Sequence, residues 1–331
     1  MIRSLITPVL LCLTLTGAVS GAEPAAFVPL LSDADAWTRL PRPVKGGGQP
    51  LPPWARATAD ALPWTTAAML ELDHLHRVDS PLPARLRGMM RWAAASANRC
   101  PYTRTQALAD LRRAGVPEAD LDTLARAPHA LPPAERDAVR FAGKLTSAAY
   151  TVTDDEVAAL IKAHGEATVV AMVQMLAFAN FQDRLILSLG LGGHAPRPPL
   201  AVTFPKRVAG AAPTAPPRTA VKPPPGPEPS ATITDPEWRA LDYDALQLRL
   251  ADQRARRPRI RVPSADEVAR RNPDRPRAGR VQWSLVCAGY QPRLAQGWGN
   301  CTAAFRAEAT QDRAFEELQF WVVTRSLRCF Y

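Results

Sequence analysis

The chain has 331 residues, of which 47% are hydrophobic and 22% charged. This length and balance fit one large or two ordinary globular domains, and they exclude a small scaffold that depends on disulfides or metals for its stability. The net charge of +10 is nearly all arginine, since five of the 41 basic residues are lysine. Arginine in place of lysine along a whole chain more often reflects a GC-rich genome than an anionic partner, so we predict no nucleic-acid binding.

The first 22 residues have the layout of a signal peptide. Arg3 gives a basic start, residues 5–19 are uncharged and largely apolar, and residues 20–22 (Ser-Gly-Ala) are the small residues that a cleavage site needs. The apolar run is short for a membrane span, which makes an uncleaved anchor the weaker alternative. We therefore expect an exported protein, periplasmic or secreted, that begins at Glu23 after cleavage.

Export permits disulfides, so the cysteines that remain after cleavage matter. They are Cys100, Cys287, Cys301 and Cys329. None stands in a C-x-x-C pair or near a histidine at metal-ligand spacing, and we predict no metal site and no cofactor. Cys287 and Cys301 are compatible with a disulfide across a turn at residues 290–292, and equally with two buried free thiols.

The region from residue 54 to residue 193 shows helical spacing almost throughout. Apolar residues recur every three and four positions, and strand-like alternation of convincing length is missing from the sequence. Thr153 and Glu156 form a capping box, and Gly165 follows where a left-handed C-terminal residue is favoured. The pattern predicts an all-α fold in which the last segment is a central helix. The predicted helices are 55–77, 83–98, 104–114, 117–126, 133–149, 154–164 and 166–190.

Less regular segments flank this helical region. Residues 23–53 have little periodicity and are predicted to be an extended lead-in. Twelve of the 34 prolines lie between residues 195 and 230, so residues 194–232 are predicted to be an extended linker. Residues 233–280 are predicted to form a helix and a solvated arginine-rich connector, and helical spacing returns in residues 281–331.

Two short segments of the chain resemble each other. Residues 88–102 read GMMRWAAASANRCPY, and residues 317–331 read ELQFWVVTRSLRCFY. Tryptophan and cysteine, the rarest residue types, recur in both segments with the same separation. We interpret the pair as a duplication, in which residues 54–193 are the first repeat and residues 281–331 the start of a second. The identical pairs are Trp92 and Trp321, Arg99 and Arg328, Cys100 and Cys329, and Tyr102 and Tyr331.

The first of these segments also carries a family resemblance. The run Cys100-Pro101-Tyr102-Thr103 resembles the C-x-Y-C motif of the carboxymuconolactone decarboxylase / alkylhydroperoxidase-D-like superfamily, with threonine at the second cysteine. Leu86-Arg87-Gly88 and residues 178–184 are similar to that superfamily as well. The resemblance covers about residues 54–193 and, more thinly, 281–331. It implies an alkylhydroperoxidase-D-like helical bundle. It also implies a thiol-dependent, peroxiredoxin-type activity, in which a small-molecule peroxide is the substrate and a thiol is the reductant. We also expect a homo-oligomer.

The chemistry of such a site depends on two sulfur atoms. Peroxide oxidises a thiolate to a sulfenic acid, and a second cysteine one helical turn away resolves it as a disulfide. In the family a glutamate and a histidine then move protons. The first repeat has Thr103, Ala107 and Gly88 at the positions of the second cysteine, the histidine and the glutamate. We therefore expect Cys100 to be a buried structural thiol, with a single oxidation by peroxide as the alternative.

The second repeat retains different parts of the motif. The resemblance places the proton-relay carboxylate at Glu317, twelve residues before the nucleophile Cys329. The resolving cysteine and the histidine would follow Tyr331, so the repeat is expected to be truncated. The candidate catalytic residues are Cys329, Glu317 and Cys100. The expected function is a thiol peroxidase that is not competent as the chain stands; the alternative is a non-catalytic binding or scaffold protein with the same fold. Lactone decarboxylation rests on the family name alone.

Overall fold

The computed structural model describes residues 26–206, 257–273 and 281–326, together with Asp242, Asp244, Leu248 and Ala251. In this part of the chain the regular elements are helices, and the β-structure is an isolated bridge between Lys45 and Thr203. The all-α prediction is confirmed. The α-helices are α1 (Asp33–Arg39), α2 (Pro53–Thr58), α3 (Pro63–Arg77), α4 (Ala84–Ala97), α5 (Pro101–Arg113), α6 (Glu118–Arg126), α7 (Pro133–Ala148), α8 (Asp154–His164), α9 (Glu166–Ser188), α10 (Ala265–Arg271), α11 (Gln282–Tyr290), α12 (Pro292–Glu308) and α13 (Arg313–Ser326).

The predicted helices of the first repeat are confirmed, with one exception. The six segments from residue 83 onwards form α4 to α9, with ends close to the predicted ones. The segment 55–77 is wrong as one helix, because it divides into α2 and α3 at Leu62. The ring of Pro63 disfavours the helical conformation for the residue before it, and the proline itself fits the first turn of the next helix.

The predicted lead-in is also not extended throughout, because α1 lies within it. The Ser32 side chain accepts a hydrogen bond from the Asp35 backbone N–H at 3.0 Å, and acidic residues occupy the first turn. Both features stabilise the N-terminus of a helix. A serine followed three residues later by an acidic residue is a local helix-start signal that the missing periodicity of this short segment concealed.

Helix α4 lies at the centre of the first repeat. It packs against α5, α7 and α9, and its Met89 and Met90 side chains are fully buried in the larger of two core clusters. Helix α9 is buried over much of its circumference, as predicted for a central helix. The second cluster joins α2, α3 and the end of α9, and it includes Trp54, Cys100 and Phe178.

The chain that follows the predicted linker packs on the first repeat. Helix α12 lies against α3, and α11 lies against α9. The Glu308 carboxylate accepts hydrogen bonds from the backbone N–H groups of Trp64 and Thr65, both at 2.8 Å. Because α3 has no side-chain cap of its own, this distant glutamate satisfies donors that its first turn leaves free. Helix α12 thus shares a core with the first repeat through Leu294 and Cys301, while the predicted domain boundaries stay a prediction.

The last described helix, α13, exposes several large apolar side chains to solvent, including Phe320 and Trp321. Among the described helices, none combines the length and the apolar composition that crossing a bilayer requires. The predicted signal peptide, residues 207–232 of the linker and Cys329 lie outside the described residues.

Candidate functional site

Cys100 lies at the corner between α4 and α5. The N–H of Arg99 donates to the Ser96 carbonyl at 3.1 Å, and the N–H of Cys100 donates to the Ala95 carbonyl at 2.8 Å. Arg99 has a φ of 55°, so this corner is a Schellman motif with arginine in the left-handed position where glycine is usual. Cys100 then serves as the N-cap residue of α5. The end of one helix and the start of the next therefore fix the backbone of the cysteine.

The thiol of Cys100 is closed off from solvent. The residue is 1% exposed and belongs to the core cluster that contains Trp54 and Phe178. Burial raises the pKa of the Cys100 thiol and outweighs the hydrogen bonds of Thr103, which lower it; the nearby Asp183 carboxylate adds a smaller rise. The start of α5 would by itself favour a thiolate. Desolvation outweighs it here, so Cys100 has neither the access nor the ionised form of a reactive cysteine.

Thr103, at the position of a resolving cysteine, has a different partner. Its hydroxyl donates a hydrogen bond to Oδ1 of Asp183. Nδ2 of Asn98 donates to Oδ2 of the same aspartate at 2.7 Å and to Oδ1 of Asn180 at 2.7 Å. Asp183 is buried, and burial raises its pKa in spite of these donors. Thr103 thus satisfies a buried carboxylate instead of supplying a second sulfur atom.

The two positions that the family resemblance assigns to proton transfer, Gly88 and Ala107, lie in the packed core. A Cβ atom added at Gly88 would lie 2.5 Å from Cγ and Cδ2 of Leu111, far inside a normal contact. A side chain at this position therefore requires the Leu111 side chain to move, and Leu111 is itself fully buried. Ala107 is fully buried. Both positions therefore belong to a closed core, and at Gly88 an added Cβ would overlap Leu111.

A network of buried charges surrounds this corner, and the sequence interpretation missed it. Nε and Nη2 of Arg77 donate to the two carboxylate oxygens of Asp110 at 2.8 and 2.9 Å, and Nη1 donates to Asp73 at 2.9 Å. Burial opposes the charge on Arg77, but the two carboxylates raise its pKa overall. Burial alone would raise the pKa of Asp110, yet Arg77 holds it below its usual range. The i, i+4 spacing of Asp73 and Arg77 was the available sequence signal.

The network continues through amide side chains to a second buried arginine. Nη2 of Arg91 donates to Oε1 of Gln182 at 2.6 Å and to Oε1 of Gln106 at 2.9 Å. Nε2 of Gln182 donates in turn to Asp73 at 3.0 Å. The Arg91 guanidinium also lies 5.6 Å from the ring centre of Phe178. Burial lowers the pKa of Arg91. Its direct contacts are neutral amides and an aromatic ring, and nearby carboxylates favour its charged form without bonding to it.

His76 borders the same aromatic ring. Its imidazole stacks on Phe178 with ring centres 4.6 Å apart. Burial, with help from the charges of Arg91 and Arg87, lowers the pKa of His76 to about 3. The histidine is therefore neutral at physiological pH and acts here as a core aromatic residue.

The candidate residues of the second repeat are only partly described. Glu317 lies on the exposed helix α13, where its Oε1 is 3.5 Å from Nη2 of Arg313. Helices α4 and α13 begin at positions that the proposed duplication aligns, Ala84 and Arg313. The environments differ, however, since Trp92 packs partly buried against the core whereas Trp321 is 58% exposed. Cys329 lies outside the described residues; of the other two candidates, Glu317 is exposed on α13 and Cys100 is buried at the corner between α4 and α5.

The two remaining described cysteines are free thiols. Cys301 is buried in α12, and burial raises its pKa to about 12. Cys287 is half-buried in α11, and burial raises its pKa as well. Of the two alternatives for this pair, free thiols and a disulfide, the structure has the free thiols.

Comparison with known proteins adds no further assignment. No family model matches the chain, and no curated protein matches it. The superfamily resemblance therefore rests on the residues around Cys100 and on the helical fold.

Proposed function

We propose that the chain is a carboxymuconolactone decarboxylase / alkylhydroperoxidase-D-like protein whose first repeat is a non-catalytic binding unit that has lost two-cysteine peroxidase chemistry. The observation that carries this proposal is the hydrogen bond between Thr103 and Asp183 beside a Cys100 that is 1% exposed. The resolving position is bonded to a carboxylate, and the nucleophile position is closed. The all-α fold and the corner geometry of Cys100 support the family assignment.

The chemistry that is missing can be written step by step. A thiolate attacks the peroxide oxygen, which breaks the O–O bond, leaves a sulfenic acid and releases an alkoxide that takes up a proton. A second thiol then attacks the sulfenic sulfur, forms a disulfide and releases water. Cys100 is a poor nucleophile for the first step because burial favours the protonated form of its thiol. The second step has no thiol at Thr103.

Peroxide consumption by the full chain tests this proposal. Hydrogen peroxide and cumene hydroperoxide are supplied with dithiothreitol, and the wild type is compared with Cys100→Ser and Cys329→Ser. We expect no steady consumption that depends on Cys100, and Thr103→Cys should not create it, because Gly88 and Ala107 leave the proton relay empty. Turnover in the wild type that Cys100→Ser abolishes would overturn the proposal.

A thiol peroxidase centred on the second repeat is the second candidate. It is favoured by Glu317, which lies on a helix in register with α4 and twelve residues before Cys329. Peroxide consumption that Cys329→Ser or Glu317→Gln reduces, and Cys100→Ser does not, would select this candidate. One equivalent of sulfenic acid at Cys329, trapped with dimedone and located by mass spectrometry, would show oxidation without turnover.

Export and self-association belong to the same proposal. N-terminal sequencing of the protein from an exporting host should find Glu23 as the first residue; material that still begins at Met1 would contradict cleavage. Sedimentation of the mature chain should give a homo-oligomer, and a monomer at all concentrations would contradict that part.

A further inference from the structure

An apolar cavity of about 360 Å³ lies between the first repeat and the chain that follows the linker. One wall comes from α7, α8 and α9, and the other from residues 258–262 and α11. Its volume falls within the range of about 300–1,000 Å³ that is typical of small-molecule sites. The side chains that define it include Phe141, Val157, Val170, Ile260, Val286 and Cys287.

The charged side chain that lines the cavity has partners outside it, and the other polar side chains of the lining, Gln282 and Trp283, are neutral. Nε of Arg259 is 2.6 Å from Oδ1 of Asp154, and its Nη2 donates to the Val152 carbonyl at 2.9 Å. Arg259 is the charged side chain among the described lining residues, so its ion pair leaves no free charge in that lining. A charged ligand group would be desolvated here without a partner, which is costly. The cavity therefore suits a neutral ligand.

The cavity opens to solvent at one side. Trp283 and Val173, on the rim, are 59% and 40% exposed. Cys287 lies in the lining and is half-buried, in contrast to the buried Cys100 and Cys301. A ligand can therefore enter without unfolding of the core, and its presence would cover the Cys287 thiol.

We infer that this cavity binds a neutral, apolar small molecule with a medium-length alkyl chain. The inference deepens the proposed function, since it names the class of ligand that a non-catalytic binding unit of this fold would hold. Its support is the cavity volume, the apolar lining from two distant parts of the chain and the ion pair of Arg259.

Protection of Cys287 tests the inference in the full-length protein. N-ethylmaleimide is applied in a short pulse with increasing 1-octanol, and the modification of each cysteine is measured by peptide mass spectrometry. At an octanol concentration ten times its Kd, occupancy alone should slow Cys287 modification about elevenfold. Sodium octanoate, which has the same chain and a charge, should protect far less. Cys100 and Cys301 report whether the fold stays closed throughout.

Two variants of α9 provide a matched pair. Val173→Trp places a large ring at the mouth of the cavity and should abolish octanol protection. Leu187→Trp adds the same ring at a similarly exposed position, 37% against 40%, that is not part of the cavity lining, and it should keep the protection. Both positions are on the surface, so neither variant needs to repack the core.

Several results would overturn the inference. They are a Cys287 that reacts no faster than Cys100 without ligand, a modification rate that octanol leaves unchanged, equal protection by octanoate, and octanol protection that persists in Val173→Trp. Octanol protection in a protein that also turns over peroxide through Cys100 would support this cavity and refute the non-catalytic assignment, so the two proposals fail separately.

Discussion

The surroundings of Cys100 and Cys287 differ in the number and the pairing of their polar groups. Around Cys100, buried aspartates, arginines and amides hydrogen-bond to one another, although Nε and Nη1 of Arg91 have no hydrogen-bond partner among the described residues, and the thiol lies in a closed core. Around Cys287, the described wall of the cavity is apolar, and one side is open to solvent. A thiol pKa raised by burial is common to both. A raised pKa alone therefore says little about a cysteine; access and neighbouring donors distinguish a structural thiol from one that can report on a ligand.

The largest expected effect comes from the charges behind Cys100. Arg77→Met would leave the buried Asp73 without its cation and Asp110 with only the exposed Arg113, and breaking a buried ion pair typically costs about 3–5 kcal/mol. Urea unfolding should show this loss in the free energy of unfolding. Arg112→Met, which removes an exposed arginine from its pair with Glu118, is the control and should change stability far less. Equal losses in the two variants would mean that the interior network is not the stabilising feature of this region.

The next effect concerns Thr103 and depends on pH. Thr103→Val removes a donor from the buried Asp183, and an unsatisfied buried group costs about 1–3 kcal/mol. The native pKa of Asp183 is already raised by burial, so the aspartate favours the folded state at acid pH and this contribution is lost as pH rises through the native pKa. Losing the donor raises that pKa further. The variant should therefore lose more stability at pH 7 than at pH 4.

Unfolding of Thr103→Val at both pH values measures this difference. Thr123→Val removes a hydroxyl that donates to the Ala119 carbonyl within α6, and it should show no such pH dependence. A Thr103→Val loss of the same size at pH 4 and pH 7 would show that the hydroxyl does not stabilise the charged form of Asp183.

A smaller effect tests the closed packing at Gly88. Helix propensity alone would favour alanine by about 1 kcal/mol. The overlap with Leu111 opposes this, and overpacking typically costs about 1–3 kcal/mol, so Gly88→Ala should give a net loss. Gly143→Ala on α7, where the added Cβ meets open space, should instead stabilise the protein. If Gly88→Ala stabilises as well, the core has room for a Cβ at this position.

Local signals predicted the helices well, and their failures have local causes. The capping box of Thr153 and Glu156 and the end of the helix at Gly165 are observed as predicted. The missed break at Leu62 is a proline effect that the apolar periodicity masked. Ends and caps depend on neighbouring residues, so a single sequence contains most of the information about them.

The site could not be predicted in the same way, because its contacts join distant residues. Thr103 and Asp183 are eighty residues apart, and the cavity wall combines α9 with α11 across the linker. Arg91 could be placed on the inner face of α4 from its spacing to Ala94 and Ala95, but its partners Gln106 and Gln182 come from other helices. The residues at positions 88, 103 and 107 led to the expectation that Cys100 is buried, and Cys100 is buried; they could not predict which distant residues enclose it.

The smallest expected effect concerns the corner that positions Cys100. Arg99 has a φ of 55°, and a residue with a Cβ pays about 1–2 kcal/mol for the left-handed conformation. Arg99→Gly removes that strain but makes the unfolded chain more flexible, so the net gain should be about 1 kcal/mol or less. Arg99→Ala keeps the Cβ and should give no gain, which separates the backbone effect from loss of the exposed arginine side chain. Urea unfolding of the three proteins measures the difference, and equal stability of the glycine and alanine variants would show that the Schellman corner is not strained.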